Sequence, residues 1–251
     1  MSNNESIVNS PIYDKVWKTD AYMAKINPAQ IHRRRLTKNI LKKLCSKPKS
    51  ILDIGCGTGE LLFNLAQIFP EAKLHGCDIS TESGKLMKSI LPNAKFYCLN
   101  VDEVSSFSLN EPVDLITCCE VLEHCTNPEN MIRNSYQSLN PGGIFFLSVP
   151  SGKMTDYDKV VGHNHHYTVE EINLLLSFHG FKNISSQYWG APFHTIYREI
   201  VRIASKGIDK KSTKASKVTL FYLVFCMIFN FLFYFNFFKN SGHQIFAWGI
   251  K

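Results

Sequence analysis

The stretch SILDIGCGTGELLFNLAQIF constrains this chain more than any other. SILDI is a short apolar run, GCGTG is a glycine turn, and GELLFNLAQIF carries leucines at helical spacing up to Pro70. Strand, tight turn and helix in direct succession open a βαβ unit, whose strands pair in parallel and need helices to cover them. The alternation continues with the apolar runs AKLHGCD (72–78), AKFYCLN (94–100), VDLITCCEV (113–121) and GGIFFLSVP (142–150), between which SGKLMKSIL and NPENMIRNSYQSL have helical periodicity. Upstream, HRRRLTKNILKKLCSK reads as a helix with Ile40, Leu41 and Leu44 on one side, ended by Pro48. Downstream, SGKMTDYDKVVGHNHHY reads as a loop, and TVEEINLLLSFHGF as a helix capped by Thr168 with Glu171 three residues on; KNISSQYWG follows as another strand. The whole predicts an α/β fold, a doubly wound and mostly parallel sheet.

A glycine turn alone serves dinucleotides, other cofactors or plain packing. Asp78 narrows the choice, because it ends the second strand a little over 20 residues after Gly55, where a carboxylate accepts hydrogen bonds from both hydroxyls of a ribose. Glu60, in the first turn of the following helix, narrows it further: a carboxylate there repels a pyrophosphate seeking the helix N-terminus. A nucleoside cofactor without phosphates fits better. Singly, each residue has a plainer reading, the glycines as packing and Asp78 as a cap for the helix near Ser80.

In their order along the chain, ILDIGCGTGE, Asp78 and TCCEVLEHCTNPENMIRNSYQSLNPGG resemble the class I S-adenosylmethionine-dependent methyltransferases, in particular the ubiquinone-biosynthesis O-methyltransferase type and its relatives. The resemblance runs from about residue 30 to 182. It implies a seven-stranded Rossmann-like sheet and S-adenosyl-L-methionine as cofactor. It also implies that Gly55, Cys56 and Gly57 approach the methionine part of the cofactor, and that Asp78 holds the ribose while Ile79 packs on the adenine. Asn100 stands where relatives often carry an aspartate for the adenine amino group, Cys119 where a residue lines the sulfonium end, and Arg35 where an arginine binds the cofactor carboxylate. His124 and Glu120 of the EVLEH string are then the catalytic candidates, His124 as general base. In ubiquinone-type relatives the residues matching Glu120, Glu123 and His124 are associated with a divalent metal such as Mg2+. The histidines of GHNHHY (162–167) occupy places where relatives carry basic residues, which implies substrate contact or lid packing more than metal binding.

The net charge of +7 falls into clusters at 33–35, 42–49 and 206–217. The last adjoins an apolar run, which points to an anionic membrane surface and not to nucleic acid. No nucleic-acid-binding motif and no NPPY-like string accompany the charge. Eight cysteines without a CxxC pair read as reduced thiols, with neither a disulfide framework nor a zinc site. MSNNESIVNSPIYDKVWK lacks the features of a secretory signal, so a cytoplasmic location is expected.

The run VTLFYLVFCMIFNFLFYFNFF (218–238) would span about 30 Å as a helix, enough for a bilayer core. However, HQIFAWGIK reads as a strand, and the family resemblance requires a final antiparallel strand beside KNISSQYWG. Residues 191–242 are then an insertion whose two ends return to the same side, which forbids a single crossing. Its helices are FHTIYREIVRIASK, with Ile196, Ile200 and Ile203 on one face, and the apolar run, with Phe221, Phe225, Phe229, Phe233 and Phe237 at spacing four. Asn230 and Asn236 also disfavour a lipid-centred helix. The expected organisation is an N-terminal segment and cap helix (1–48), a core (49–190 with 243–251) and a membrane-associating helical hairpin (191–242). The expected function is methyl transfer to oxygen of a small-molecule or lipid-linked acceptor at the cytoplasmic membrane face. The alternatives are a protein or nucleic-acid methyltransferase and a non-catalytic cofactor-binding scaffold.

Overall fold

The computed structural model describes residues 11–107, 109–204, 220–238 and 240–251; the lysine cluster at 206–217 and the first two residues of the apolar run lie outside them. Seven strands, β1 (Ser50–Ile54), β2 (Lys73–Asp78), β3 (Lys95–Cys98), β4 (Val113–Cys119), β5 (Leu139–Pro150), β6 (Lys182–Trp189) and β7 (Gln244–Ile250), form one sheet in the order β3-β2-β1-β4-β5-β7-β6. The β1–β2, β2–β3, β1–β4 and β4–β5 pairings are parallel, and β7 lies antiparallel between β5 and β6. Register positions the site. Ile54 is opposite both Cys77 and Cys118, so the glycine turn, Asp78 and Glu120 leave the sheet at one carboxyl edge.

Alternate residues of the strands face opposite layers, as a sheet buried on both sides requires. Ile51, Leu115, Phe146 and Phe246 pack on α3 (Pro28–Leu44), α4 (Glu60–Ala66) and α5 (Thr81–Ile90) through Leu41, Leu62 and Met87. Leu52, Ile116, Phe145 and Ile245 pack on α6 (Pro128–Ser138) and α8 (Val169–Phe178) through Met131, Ile132, Ile172 and Leu176. Each such fully buried side chain contributes roughly 1.5–3 kcal/mol.

Three stretches differ from the sequence expectation. The polar start contains α1 (Pro11–Asp20) and the single turn α2 (Met23–Ile26). Helix α3 begins at Pro28, four residues before His32, because the Asn27 side chain accepts from the Ala29 and Gln30 amides and proline suits the first helical position. The loop after β5 holds α7 (Asp156–Val160), closed by a capping box between Thr155 and Asp158.

Between β6 and β7 lie α9 (Phe193–Ala204), α10 (Leu220–Leu232) and one 3-10 turn, Phe233–Phe235. The 21-residue helix expected over 218–238 is not what forms. Helix α10 has 13 residues, about 20 Å, and no described helix is long and apolar enough to cross a membrane. The helix stops because Asn236 turns back to cap α9, its Oδ1 accepting from the amides of Phe193 (2.9 Å) and His194 (3.2 Å). Of the phenylalanines at spacing four, Phe229 and Phe233 are buried against Tyr197 and Phe225 packs beside them, while Phe221 and Phe237 are exposed.

Candidate functional site

The glycine turn packs its backbone closely against the side chains of Val121 and Trp17 at the edge of a cleft. Gly55 and Gly57 have φ of +65° and +50°, and a Cβ at either would stand 2.3 Å from Val121 or 2.7 Å from Trp17. Both constraints select glycine. Asp78 ties the turn to β2: its Oδ2 accepts from the Gly57 amide (3.0 Å) and its Oδ1 from the Ser80 amide (2.9 Å). Burial pushes the Asp78 carboxyl up to about 6 against these bonds.

The adjoining cavity of about 350 Å³ is lined by Gly55, Asp78, Ile79, Asn100 and His124, with Tyr13 and Trp17 of α1 as its roof. Helix α1 is held there by Asp14, whose Oδ1 accepts from the Ser80 hydroxyl (2.5 Å) and the Glu82 amide (3.2 Å) at the start of α5. Asn100 keeps its place at the end of the third strand, its Oδ1 accepting from the Asp102 amide (3.1 Å). Asp102 itself is committed to Thr126 and Asn127.

A second cavity of about 950 Å³ lies between α3, α9 and the loop after β5, and Glu120 and His124 line both spaces. Glu120 adopts φ +59°, a left-handed conformation that costs about 1–3 kcal/mol in a non-glycine residue. Its neighbours hold it: Oε1 accepts from Gln244 Nε2 (2.8 Å) and Oε2 pairs with Arg33 (3.1 Å). His124 Nδ1 donates to the Gly162 carbonyl (3.1 Å), which leaves the lone pair on Nε2. Burial lowers the His124 pKa, so the ring is neutral at physiological pH. Glu123 is fully buried, neither oxygen has a hydrogen-bond partner, and burial and the Glu120 charge push its pKa well up.

Several sequence expectations need correction. Arg35 does not face the cofactor cleft; its Nη2 bonds His32 Nδ1 (2.7 Å) and its guanidinium lies 3.6 Å from the Tyr234 ring centroid, under the apolar insertion. Two residues along a helix turn a side chain through about 200°, and Arg33 takes the inward place. Cys119 belongs to the apolar layer shared with α3 and α4 and lines neither cavity. Cys56 is likewise buried in that layer, its amide donating to the Cys77 carbonyl (3.0 Å). Glu120, Glu123 and His124 do not converge as a metal trio, because Arg33 and Gln244 engage Glu120; among the described residues Glu123 and His124 converge with His163, and His163 also with Asp158 and His166. Tyr13 and Trp17 escaped the sequence reading, although Tyr13, Val16 and Trp17 have the spacing of one helical face.

The sequence matches the methyltransferase domain family over residues 29–186. It is similar to a ubiquinone biosynthesis O-methyltransferase of Coxiella burnetii, 32% identical over 127 residues that cover 49% of this chain and 50% of that protein. The mitochondrial ubiquinone biosynthesis O-methyltransferase of Saccharomyces cerevisiae is 30% identical over 125 residues, 46% of this chain and 38% of the relative. The alignments thus span half or less of these curated relatives. Among solved structures, the N-methyltransferase NodS of Bradyrhizobium japonicum, in complex with S-adenosyl-L-homocysteine, superposes with a TM-score of 0.59 at 16% identity, covering 96% of this chain and 99% of that one. At that identity the likeness speaks for the fold.

Proposed function

The chain belongs to the methyltransferase domain family, and from that premise we propose that it transfers the methyl group of S-adenosylmethionine to an oxygen of a small acceptor held in the larger cavity. The observation that carries the reading is the meeting of the two cavities at His124, whose free Nε2 is the only ring nitrogen of that residue left to take a proton. Gly55 and Gly57 offer the close backbone approach that a nucleoside sulfonium needs, and Asp78 the acceptor for its ribose. S-adenosylmethionine supplies an electrophilic methyl group when bound. Arg33, held by Glu120 at the join, offers a cation for an acceptor or cofactor carboxylate.

His124 Nε2 would take the acceptor's hydroxyl proton, and the cofactor, held beside Gly55 and Asp78, would supply the methyl group to that oxygen. Methyl transfer is an in-line displacement, so the walls do much of the work by positioning the acceptor. Those walls also suit a lipid-linked acceptor arriving from the cytoplasmic face of a membrane. Helix α9 lines the larger cavity with His194, Tyr197 and Arg198 and turns Ile196, Ile200 and Ile203 outward, 46%, 40% and 58% exposed.

Calorimetry tests the cofactor: S-adenosylhomocysteine binds and NAD does not, and the reverse result rejects the reading. Asp78→Ala weakens that binding by about 2–3 kcal/mol through loss of both ribose hydrogen bonds. Incubation of membrane and soluble extracts with methyl-labelled cofactor then identifies the acceptor. Label on oxygen supports the assignment, whereas label confined to protein or nucleic acid replaces it.

A further inference from the structure

The histidines of the loop after β5 converge on an acid from α7. Asp158 Oδ1 lies 4.0 Å from His163 Nδ1 and 3.8 Å from His166 Nε2, and the two ring nitrogens are 2.9 Å apart. Ligands about 2.0–2.2 Å from a tetrahedral ion are about 3.4 Å from one another, so small movements bring all three onto one cation. The supporting bonds point the same way. His166 Nδ1 donates to the Gly152 carbonyl (3.2 Å), which fixes the Nε2 lone pair toward Asp158 and His163. Asp158 Oδ2 is held by the Thr155 amide and hydroxyl, both at 2.7 Å, which turns Oδ1 toward the two imidazoles and Arg198. The His166 and Asp158 side chains are only 2% and 7% exposed.

A second observation is independent of this triad. Glu123, fully buried with neither oxygen bonded, has a carboxylate oxygen within 4.8 Å of a ring nitrogen of His163. Both of its oxygens are free to accept from or bind a ligand beside that imidazole. Arg198 borders the cluster, its Nη2 3.7 Å from Asp158 Oδ1 and its Nη1 donating to the Ser151 (3.2 Å) and His243 (2.8 Å) carbonyls.

We propose that Asp158, His163 and His166 bind a zinc-class divalent cation at the rim of the larger cavity, tying α7 to the histidine loop. Two imidazoles and one carboxylate suit Zn2+, Co2+ or Ni2+ better than Mg2+. The site does not depend on the methyl-transfer reading. The test uses full-length protein stripped with chelator and titrated with Co2+, read by visible ligand-field absorption and by thermal melting. One Co2+ per chain, without the near-ultraviolet band of thiolate ligation, and a raised melting temperature are expected. His166→Gln and Asp158→Asn each lower the affinity at least about tenfold, while His124→Ala retains it. Circular dichroism of the stripped variants confirms that they fold, and a misfolded one is replaced by His163→Gln. No stoichiometric uptake, a thiolate band, or uptake that survives His166→Gln but is lost in His124→Ala overturns the proposal.

Discussion

Asp53 shows how one buried acid couples this fold to pH. It is fully buried on β1, Thr117 Oγ1 donates to its Oδ1 (2.6 Å), and desolvation pushes its pKa up to about 7. An unfolded aspartate titrates near about 3.9, so over that interval the folded chain holds a proton that the unfolded chain has lost. The resulting stability is fully present below about pH 3.9 and is lost as pH rises through about 7, at up to about 1.4 kcal/mol per pH unit. Asp53→Asn keeps the shape and removes that slope; denaturant unfolding of both proteins near pH 5 and pH 8 measures the difference. At His124 the readout is kinetic. His124→Ala lowers turnover by about 100-fold or more while S-adenosylhomocysteine affinity changes little, as for a general base acting on the acceptor. Turnover of labelled cofactor at the wild-type rate would remove His124 from the reaction. The places of Asp78, Gly55, Gly57 and His124 at one carboxyl edge of the sheet were legible in the sequence because a strand–turn–helix unit fixes where such residues stand. Arg33 was not, because three consecutive arginines point around most of a helical turn and only packing decides which one faces in.

Among the elements, α1 has a place over the smaller cavity that its sequence hid. PIYDKVWKTD is short and half polar, and its apolar face is completed only by the cleft that it covers. Asp14 docks it on the first turn of α5, where the carboxylate also meets the positive end of the helix dipole. Asp14→Ala therefore loosens the roof of the cofactor cleft and weakens S-adenosylhomocysteine binding by about 1 kcal/mol, the usual worth of a capping side chain. Lys18→Ala is the control: its pairing with Glu82 is solvent-exposed on the lysine side and changes binding little. Calorimetry on both variants decides, and equal affinity in Asp14→Ala would make α1 a passive neighbour. The strands were easier to read than α1. Their continuous apolar runs report burial on two faces directly, whereas the end of α10 is set by Asn236 reaching 43 residues back to cap α9, an interaction with no local signature.

At the scale of the whole molecule, most of the exposed large apolar side chains among the described residues belong to α9, α10 and the turn after it. Helices α9 and α10 meet through Tyr197, Phe229 and Phe233, which are buried, and turn Phe221, Met227 and Phe231 outward at 83%, 71% and 64% exposure. Contiguous exposed apolar surface of this kind marks an interaction site. The five lysines at 206–217 join the same two helices in sequence, and such residues each add about 1 kcal/mol of attraction near an anionic bilayer. Helix α10 exposes one face and packs the other on α3, and the proposed contact with a membrane can be tested directly. The full-length protein should therefore pellet with vesicles containing phosphatidylserine, less with neutral ones, and progressively less as salt rises from about 50 to 500 mM, because screening weakens the lysine contribution. Phe221→Glu and Met227→Glu should abolish pelleting while leaving S-adenosylhomocysteine binding intact, since both side chains already face outward. Phe229→Glu is a different experiment, because it buries a charge in the α9–α10 contact and unfolds the hairpin. If the two outward substitutions leave pelleting unchanged but shift the sedimentation of free protein from dimer to monomer, the apolar face joins two copies of the chain. The acceptor then enters from water, past Lys153 and Lys159 at the mouth of the larger cavity.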